Sequence, residues 1–224
     1  MYALLPMKGH SERVPNKNVK SISGKPLFFF IADTLKDSSA FDSLIINTDS
    51  EEISFLAKER YGNWVVVHKR PEELVGDSTS MNEIIRHDVK KIGEDNNFFQ
   101  THSTNPLLKI ETVQSSVNEY RTLLDKGNFD SLFSVTSMKK RLYDHRFNPI
   151  NHNPKDLKQT QDLENIYEEN SNFYIFSGKS FLENNHRIGC NPKMHIMESN
   201  SFESLDIDEK NDWVLAEILL QKLI

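Results

Sequence analysis

Apolar residues in this chain fall in short continuous runs, and between the runs they recur every three or four positions. That alternation is the pattern of buried strands and amphipathic helices. It predicts strands over 2–6, 44–47, 64–67, 97–102, 131–136, 173–176 and 193–197. Helices are expected over 27–35, from the acids after Asp49-Ser50, and over 80–92, 110–124 and 211–222. Leu44-Ile45-Ile46 and Trp64-Val65-Val66-Val67 lack polar alternation, as strands buried on both faces do. Strands alternating with helices of this length imply βαβ units, an α/β fold with a mainly parallel sheet. The rhythm breaks over about 138–170, where Lys139-Lys140-Arg141 and several Asn, Asp and Pro leave few aliphatics. Such a stretch is read as an excursion that packs on something else or as a loop.

Composition narrows the function. The 224 residues can bury a sizeable core, and 37% hydrophobic with 27% charged residues is ordinary for a soluble domain. Twenty-seven basic against thirty-three acidic side chains give a net charge of −6, with no basic block. Nucleic acid and anionic membrane surfaces are therefore not expected partners. The single cysteine, Cys190, excludes a disulfide framework and is read as structural. No apolar stretch approaches the length of a membrane span, and the first six residues are too short an apolar run for a signal peptide. The expected location is cytoplasmic.

Four polar segments follow predicted strands or stand near the end of the chain. Lys8-Gly9-His10-Ser11-Glu12-Arg13-Val14-Pro15-Asn16-Lys17-Asn18 brings three cations and a glycine to the carboxyl end of the first strand, where open α/β sheets bind ligands. That suits a polyphosphate, although a solvated loop has the same composition. Asn47-Thr48-Asp49 reads as a helix cap in any case. His68 to Ser80 is a second polar loop, explained in part by capping at Ser78 or Thr79. In Ser204-Leu205-Asp206-Ile207-Asp208 two carboxylates at i and i+2 share a face, suiting a hard divalent cation or an exposed turn. The histidines other than His102, His68 among them, are read as surface residues.

Taken in order, these segments resemble the acylneuraminate cytidylyltransferases, the CMP-sialic acid synthetase family with its CMP-legionaminate, CMP-pseudaminate and more distant CMP-Kdo relatives. The first loop matches the family's R-x-x-S-K-x-x-P-x-K-N, and Gly24-Lys25-Pro26-Leu27 its G-K-P-L. Asn47-Thr48-Asp49 matches S-T-D, and Arg70-Pro71-Glu72-Glu73-Leu74 with Asp77 and Ser80 matches R-P-x-x-L-x-x-D-x-x-S. Asp206-Ile207-Asp208 matches the late D-I-D. The departures are Lys8 for an arginine, His102 for a glutamine, and Leu108 and Thr160 where arginines are usual.

The resemblance implies a Rossmann-like three-layer nucleotide-diphospho-sugar transferase fold, one cytidylyltransferase domain over 1–224, and a homodimer built through the excursion. It implies transfer of CMP from CTP to the anomeric hydroxyl of a 3-deoxy-2-ulosonic acid, with release of pyrophosphate. Lys8, Gly9, Ser11, Arg13, Lys17, Asn18, Arg70 and Ser80 would bind the nucleotide. Gln100, His102, Thr104 and Asn105 would bind the acceptor, His102 as hydrogen-bond donor or general base. Asp206 and Asp208 would hold Mg²⁺, and with Lys8 and Lys17 they make up the expected catalytic set. Three rival readings stand beside this one: a nucleotidyltransferase for another base or sugar, a nucleotide-sugar glycosyltransferase with its D-x-D, and an impaired homologue that only binds.

Overall fold

The computed structural model describes residues 1–76, 78–156, 158–198 and 201–223. In chain order the elements are β1 (Tyr2–Leu4), a hairpin of β2 (Ser21–Ile22) and β3 (Lys25–Pro26), α1 (Leu27–Asp37), β4 (Ser43–Thr48), α2 (Glu51–Tyr61), β5 (Val65–Lys69) and α3 (Met81–Ile92). There follow β6 (Asn97–Thr101), α4 (Ile110–Lys126), β7 (Ser131–Met138), β8 (Ile166–Ser177), α5 (Gly178–Asn184), β9 (Pro192–Met197) and α6 (Lys210–Leu223). One sheet runs in the order β5-β4-β1-β6-β8-β7-β9. Its neighbours are parallel except β8, which is antiparallel to both β6 and β7.

Period-two alternation sorts the strand residues between two helical layers. Ala3, Leu44, Ile46, Phe99, Leu132, Phe173 and Ile175 face α1, α2 and α4. Leu4, Ile45, Phe98, Phe133, Tyr174 and Phe176 face α3 and α5. Aromatic pairs stitch β8 to β6 on both faces, with Phe99–Phe173 at 5.1 Å and Phe98–Phe176 at 6.0 Å between ring centroids. Each of these four rings is 0% exposed. At about 1.5–3 kcal/mol per buried large apolar side chain, they anchor the antiparallel strand in place. A third cluster, Val14, Ile22, Leu27, Phe30, Leu107, Ile207, Trp213, Ala216 and Leu220, fastens α6 beneath the first loop.

Three sequence expectations need correction. The strand placed at 173–176 is longer: Ile166, Tyr167, Glu168 and Glu169 pair with Met138 back to Val135. Part of the presumed excursion is therefore strand. Its first half projects past the helical layers into water, so its side chains need not be apolar. A bulge marks the change of surroundings, where the register shifts between Phe133 and Val135. Ser134 Oγ fills it, donating to Asn170 Oδ1 at 2.6 Å and accepting from Phe173 N at 3.0 Å. Second, α5 had no signal: seven residues are too few to show a helical period, and Ser177 caps it by accepting from Ser180 N. Third, Cys190 is exposed, its thiol donating to Asn184 Oδ1.

Between β7 and β8, the described residues of 139–165 hold no longer element than a 3-10 turn at Thr160–Asp162 and a bridge between Tyr143 and Pro149. The accessible surface, 12149 Å², exceeds the roughly 10,500 Å² of a compact chain this size. This mostly exposed segment contributes to the excess.

Candidate active site

The chain leaves β1 for β4 and β5, then returns to β6 on the other side of β1. The crevice beyond the carboxyl ends of strands at such a reversal is where open α/β sheets take ligands. A cleft of about 450 Å³ lies there, lined by the first loop, Arg70, the stretch around Thr79 to Ile84, residues 102–104 and Asp208.

The first loop is braced from inside. Asn16 takes a left-handed φ of 53°, tolerable for asparagine. It turns the chain so that Asn18 is 6% exposed. Asn18 donates to Lys8 O at 2.9 Å and accepts from Ser103 Oγ at 2.6 Å, tying the loop to the segment after β6. Both ends of its amide are thus occupied by protein. Gly9 packs against Ser50, where a Cβ would come within 3.0 Å. Its N–H donates to Asp49 Oδ1 at 2.7 Å.

The late acidic segment reaches the cleft by pairing with the chain after β6. Ile207 N donates to Thr104 O at 2.9 Å, and Asn105 Nδ2 to Leu205 O at 3.3 Å. Ile207 is 0% exposed, so the carboxylates on either side of it point away from the core together. Asp208 faces the loop cations: Arg13 Nη2 lies 3.0 Å and Lys17 Nζ 3.6 Å from its Oδ1. Arg13 also pairs with Glu209, and Lys17 Nζ donates to Ile207 O. The Glu209 hydrogen bond, then the Asp208 charge, holds the Arg13 guanidinium above its ordinary pKa. Desolvation, and then the charge of Asp208, raises the Asp206 carboxyl, while a Thr104 hydrogen bond lowers it. Two oxygen-donor carboxylates crowding one face suit a hard divalent cation.

Arg70 is 7% exposed. Its Nε donates to Asn47 Oδ1 and its Nη2 to Asn47 O, both at 2.9 Å. Burial lowers its pKa, opposed by Asp49 and Asp88. Behind it lies a network the sequence reading missed. Asp88, 0% exposed, accepts from Asn47 Nδ2 at 2.7 Å and sits 2.7 Å from His68 Nδ1 and 3.3 Å from His87 Nδ1. His68, expected at the surface, is 5% exposed. Among the described residues, only His68, His87 and Asp88 form a group of three possible metal ligands. The 2.7 Å separation is that of a hydrogen bond between two of them. No local pattern announces a pair that long-range packing creates.

Of the residues expected to bind the acceptor, Gln100 is 0% exposed. Its Oε1 accepts from Arg187 Nη1 at 2.6 Å. Its Nε2 donates to Thr101 O at 2.8 Å and lies 3.2 Å from His102 Nε2. Burial, and then the Arg187 charge, pushes His102 down to about 4. The ring is neutral at pH 7, and its Nε2 faces donor groups only. The proton therefore belongs on Nδ1.

The predicted residues Lys8, Ser11, Arg13, Lys17, Asn18, Arg70, His102, Thr104 and Asp208 line one cleft. Gly9, Gln100, Asn105 and Asp206 stand behind or beside it. Ser80 is committed elsewhere: its Oγ accepts from Glu83 N at 3.3 Å, a capping box for α3, while its neighbours Thr79 and Met81 line the cleft. Asp77 lies outside the described residues. Leu108 is 2% exposed in the main core, so that position does not face ligand.

A family profile described as cytidylyltransferase matches residues 2–222. The chain belongs to the cytidylyltransferase family. Membership removes the glycosyltransferase reading of Asp206-Ile207-Asp208. Among its relatives, N-acylneuraminate cytidylyltransferase A of Danio rerio is 31% identical over 96% of this chain and 49% of the relative. The CMP-N,N'-diacetyllegionaminic acid synthase of Legionella pneumophila is 28% identical over 98% of this chain and 95% of the relative. The chain thus spans about half the length of the N-acylneuraminate enzymes of Danio rerio and Escherichia coli. A solved CMP:2-keto-3-deoxy-manno-octonic acid synthetase complexed with CTP superposes with a TM-score of 0.71, covering 99% of this chain and 98% of that one at 11% identity. At that identity the likeness concerns the fold, the three-layer sheet expected of the family.

Proposed function

We propose that this chain transfers CMP from CTP to the anomeric 2-hydroxyl of a 3-deoxy-2-ulosonic acid and releases pyrophosphate. The observation that carries the reading is the meeting of Lys8, Arg13 and Lys17 with Asp208 at one switch-point cleft in a member of this family. The hydroxyl oxygen forms a bond to the α-phosphorus as the bond to the β-phosphoryl oxygen breaks. The hydroxyl proton leaves to solvent, and pyrophosphate departs with the electron pair. Most of the acceleration in such a displacement comes from positioning and charge stabilisation.

Lys8 and Lys17 serve the phosphates, with Arg13 exchanging its carboxylate partners for phosphate oxygens when the nucleotide arrives. Arg70, held by Asn47, presents a fixed guanidinium to the nucleotide. Ser11 and Asn18 keep the loop in shape around it. His102 donates through Nδ1 to the sugar, a role favoured over general base because a ring held down at about 4 is a weak proton acceptor. Asp206 and Asp208 would hold magnesium, which when bound screens the triphosphate and acidifies the attacking hydroxyl.

The reading extends to a homodimer working in the cytoplasm. Apolar side chains of the 139–165 segment support the dimer, Phe147 being 87% and Ile150 61% exposed. For the location, no helix among the described residues is long and apolar enough to cross a membrane.

The deciding experiment is pyrophosphate release on mixing with CTP, Mg²⁺ and a panel of ulosonic acids. Silence with every acid, from a protein whose melting temperature CTP raises, would sink the reading. Asp208→Ala should lower turnover by roughly 10²–10³-fold with the fold intact by circular dichroism. Lys8→Ala should cost roughly 10- to 150-fold in kcat/KM for CTP, the worth of a charge-assisted hydrogen bond. Lys8→Arg should retain most of the activity.

A further inference from the structure

Arg187, in the turn between α5 and β9, reaches under the end of β6 into the acceptor side of the site. Its Nη1 donates to Gln100 Oε1 at 2.6 Å and stands 3.4 Å from His102 Nε2. Its guanidinium lies 3.8 Å over the Tyr174 ring. Three neighbours thus fix its plane and one of its nitrogens.

The opposite edge is unfilled. Nε is buried and has no hydrogen-bond partner among the described residues. Nη2 has none among the described residues, and no carboxylate among them comes within ion-pair distance. Glu169, the nearest acidic influence, is engaged by the Tyr174 hydroxyl. The Nε/Nη2 edge is the one that grips a carboxylate with two parallel bonds. The same chain shows it filled: Arg60 Nε and Nη2 hold Asp33 Oδ1 and Oδ2, each at 2.9 Å. A desolvated guanidinium with that edge empty is a site awaiting an anion.

We propose that Arg187 is an acceptor-specificity residue whose Nε/Nη2 edge receives the carboxylate of the sugar, held in register by Gln100, His102 and Tyr174. The triphosphate has its own cations on the first loop, so the anion left for Arg187 is the planar one. The inference rests on the reading of the acceptor as a ulosonic acid, and its test separates the two.

Arg187→Met and Arg187→Lys are compared with wild type, after circular dichroism shows all three folded. Arg187→Met should lower kcat/KM for the acceptor roughly 10- to 150-fold, with KM for CTP within about twofold. Arg187→Lys keeps the charge without the fork and should recover only part of the loss. Wild type should discriminate against the acceptor's carboxamide, and Arg187→Met should treat acid and amide alike. Calorimetric binding of the acid, beside a CTP analogue with a methylene bridge between the α- and β-phosphorus, reads the same contact without turnover. If binding depends on Arg187 while no pyrophosphate appears, the transfer reading falls and this one stands. Binding indifferent to Arg187, equal acid-over-amide preference in wild type and variant, or no binding of any ulosonic acid to wild type would overturn it.

Discussion

Two arginines, Arg70 buried and Arg187 half-buried, stand on opposite sides of β1, and their surroundings differ in one respect. Arg70 has its Nε and Nη2 filled by Asn47, and Asp88 lies behind with His68 and Asn47 bonded to it. Arg187 has Nη1 held and its Nε/Nη2 edge empty. In the first cluster each of these donors has its acceptor, with only the second Asp88 oxygen buried without a partner among the described residues, and the network holds Arg70 fixed in the cleft wall. The second is complete only with something added and belongs to binding. Burial alone does not tell the two apart; the accounting of each donor does.

The hardest way to break this contrast is Asp88→Ala. It strands the donors of His68 and Asn47, at about 3 kcal/mol, which for a chain of this size is roughly 6–12 °C of melting temperature. A thermal scan showing a shift under about 3 °C would mean that the network is not holding the cleft wall. Next in size is pH. The folded pKa of His102, about 4, lies below its unfolded value, so the unfolded chain takes the proton first. The stability from keeping this ring neutral is whole above about pH 6.5 and is lost as pH falls toward 4. His102→Gln should flatten the melting profile across that window by at most about 3 kcal/mol. Parallel wild-type and variant profiles would refute the assignment. The smallest effect sharpens the comparison most. Without ligand, Arg187→Met should cost only about 1 kcal/mol, because it strands one acceptor, Gln100 Oε1, while removing a partly desolvated charge that no ion pair holds. A loss as large as that of Asp88→Ala would make Arg187 a structural arginine and not a binding one.

Much of the cleft was legible in the chain. The loop of Lys8, Arg13 and Lys17, the Arg70 segment and the late Asp206-Ile207-Asp208 are contiguous motifs, and short stretches carry their own turn and cap chemistry. Ser50 caps its helix through a neighbour three residues away, a range over which sequence speaks directly, whereas the cap of α3 falls on Ser80 and not on Ser78 or Thr79 as expected. What was not legible has partners far along the chain. Arg187 meets Gln100 across 87 residues, Ser103 meets Asn18 across 85, and Arg13 meets Asp208 across 195.

The sequence by itself determined the alternation of strands and helices and the family, because hydrophobic period and motif spacing are properties of neighbouring residues. Only the tertiary structure decided that β8 runs antiparallel between β6 and β7, with a polar half that no period betrays. It alone decided that His68 is a buried partner of Asp88 and that Arg187 meets Gln100 and His102. A side chain's burial and its hydrogen-bond account depend on what folding brings beside it, and nothing in its local sequence carries that.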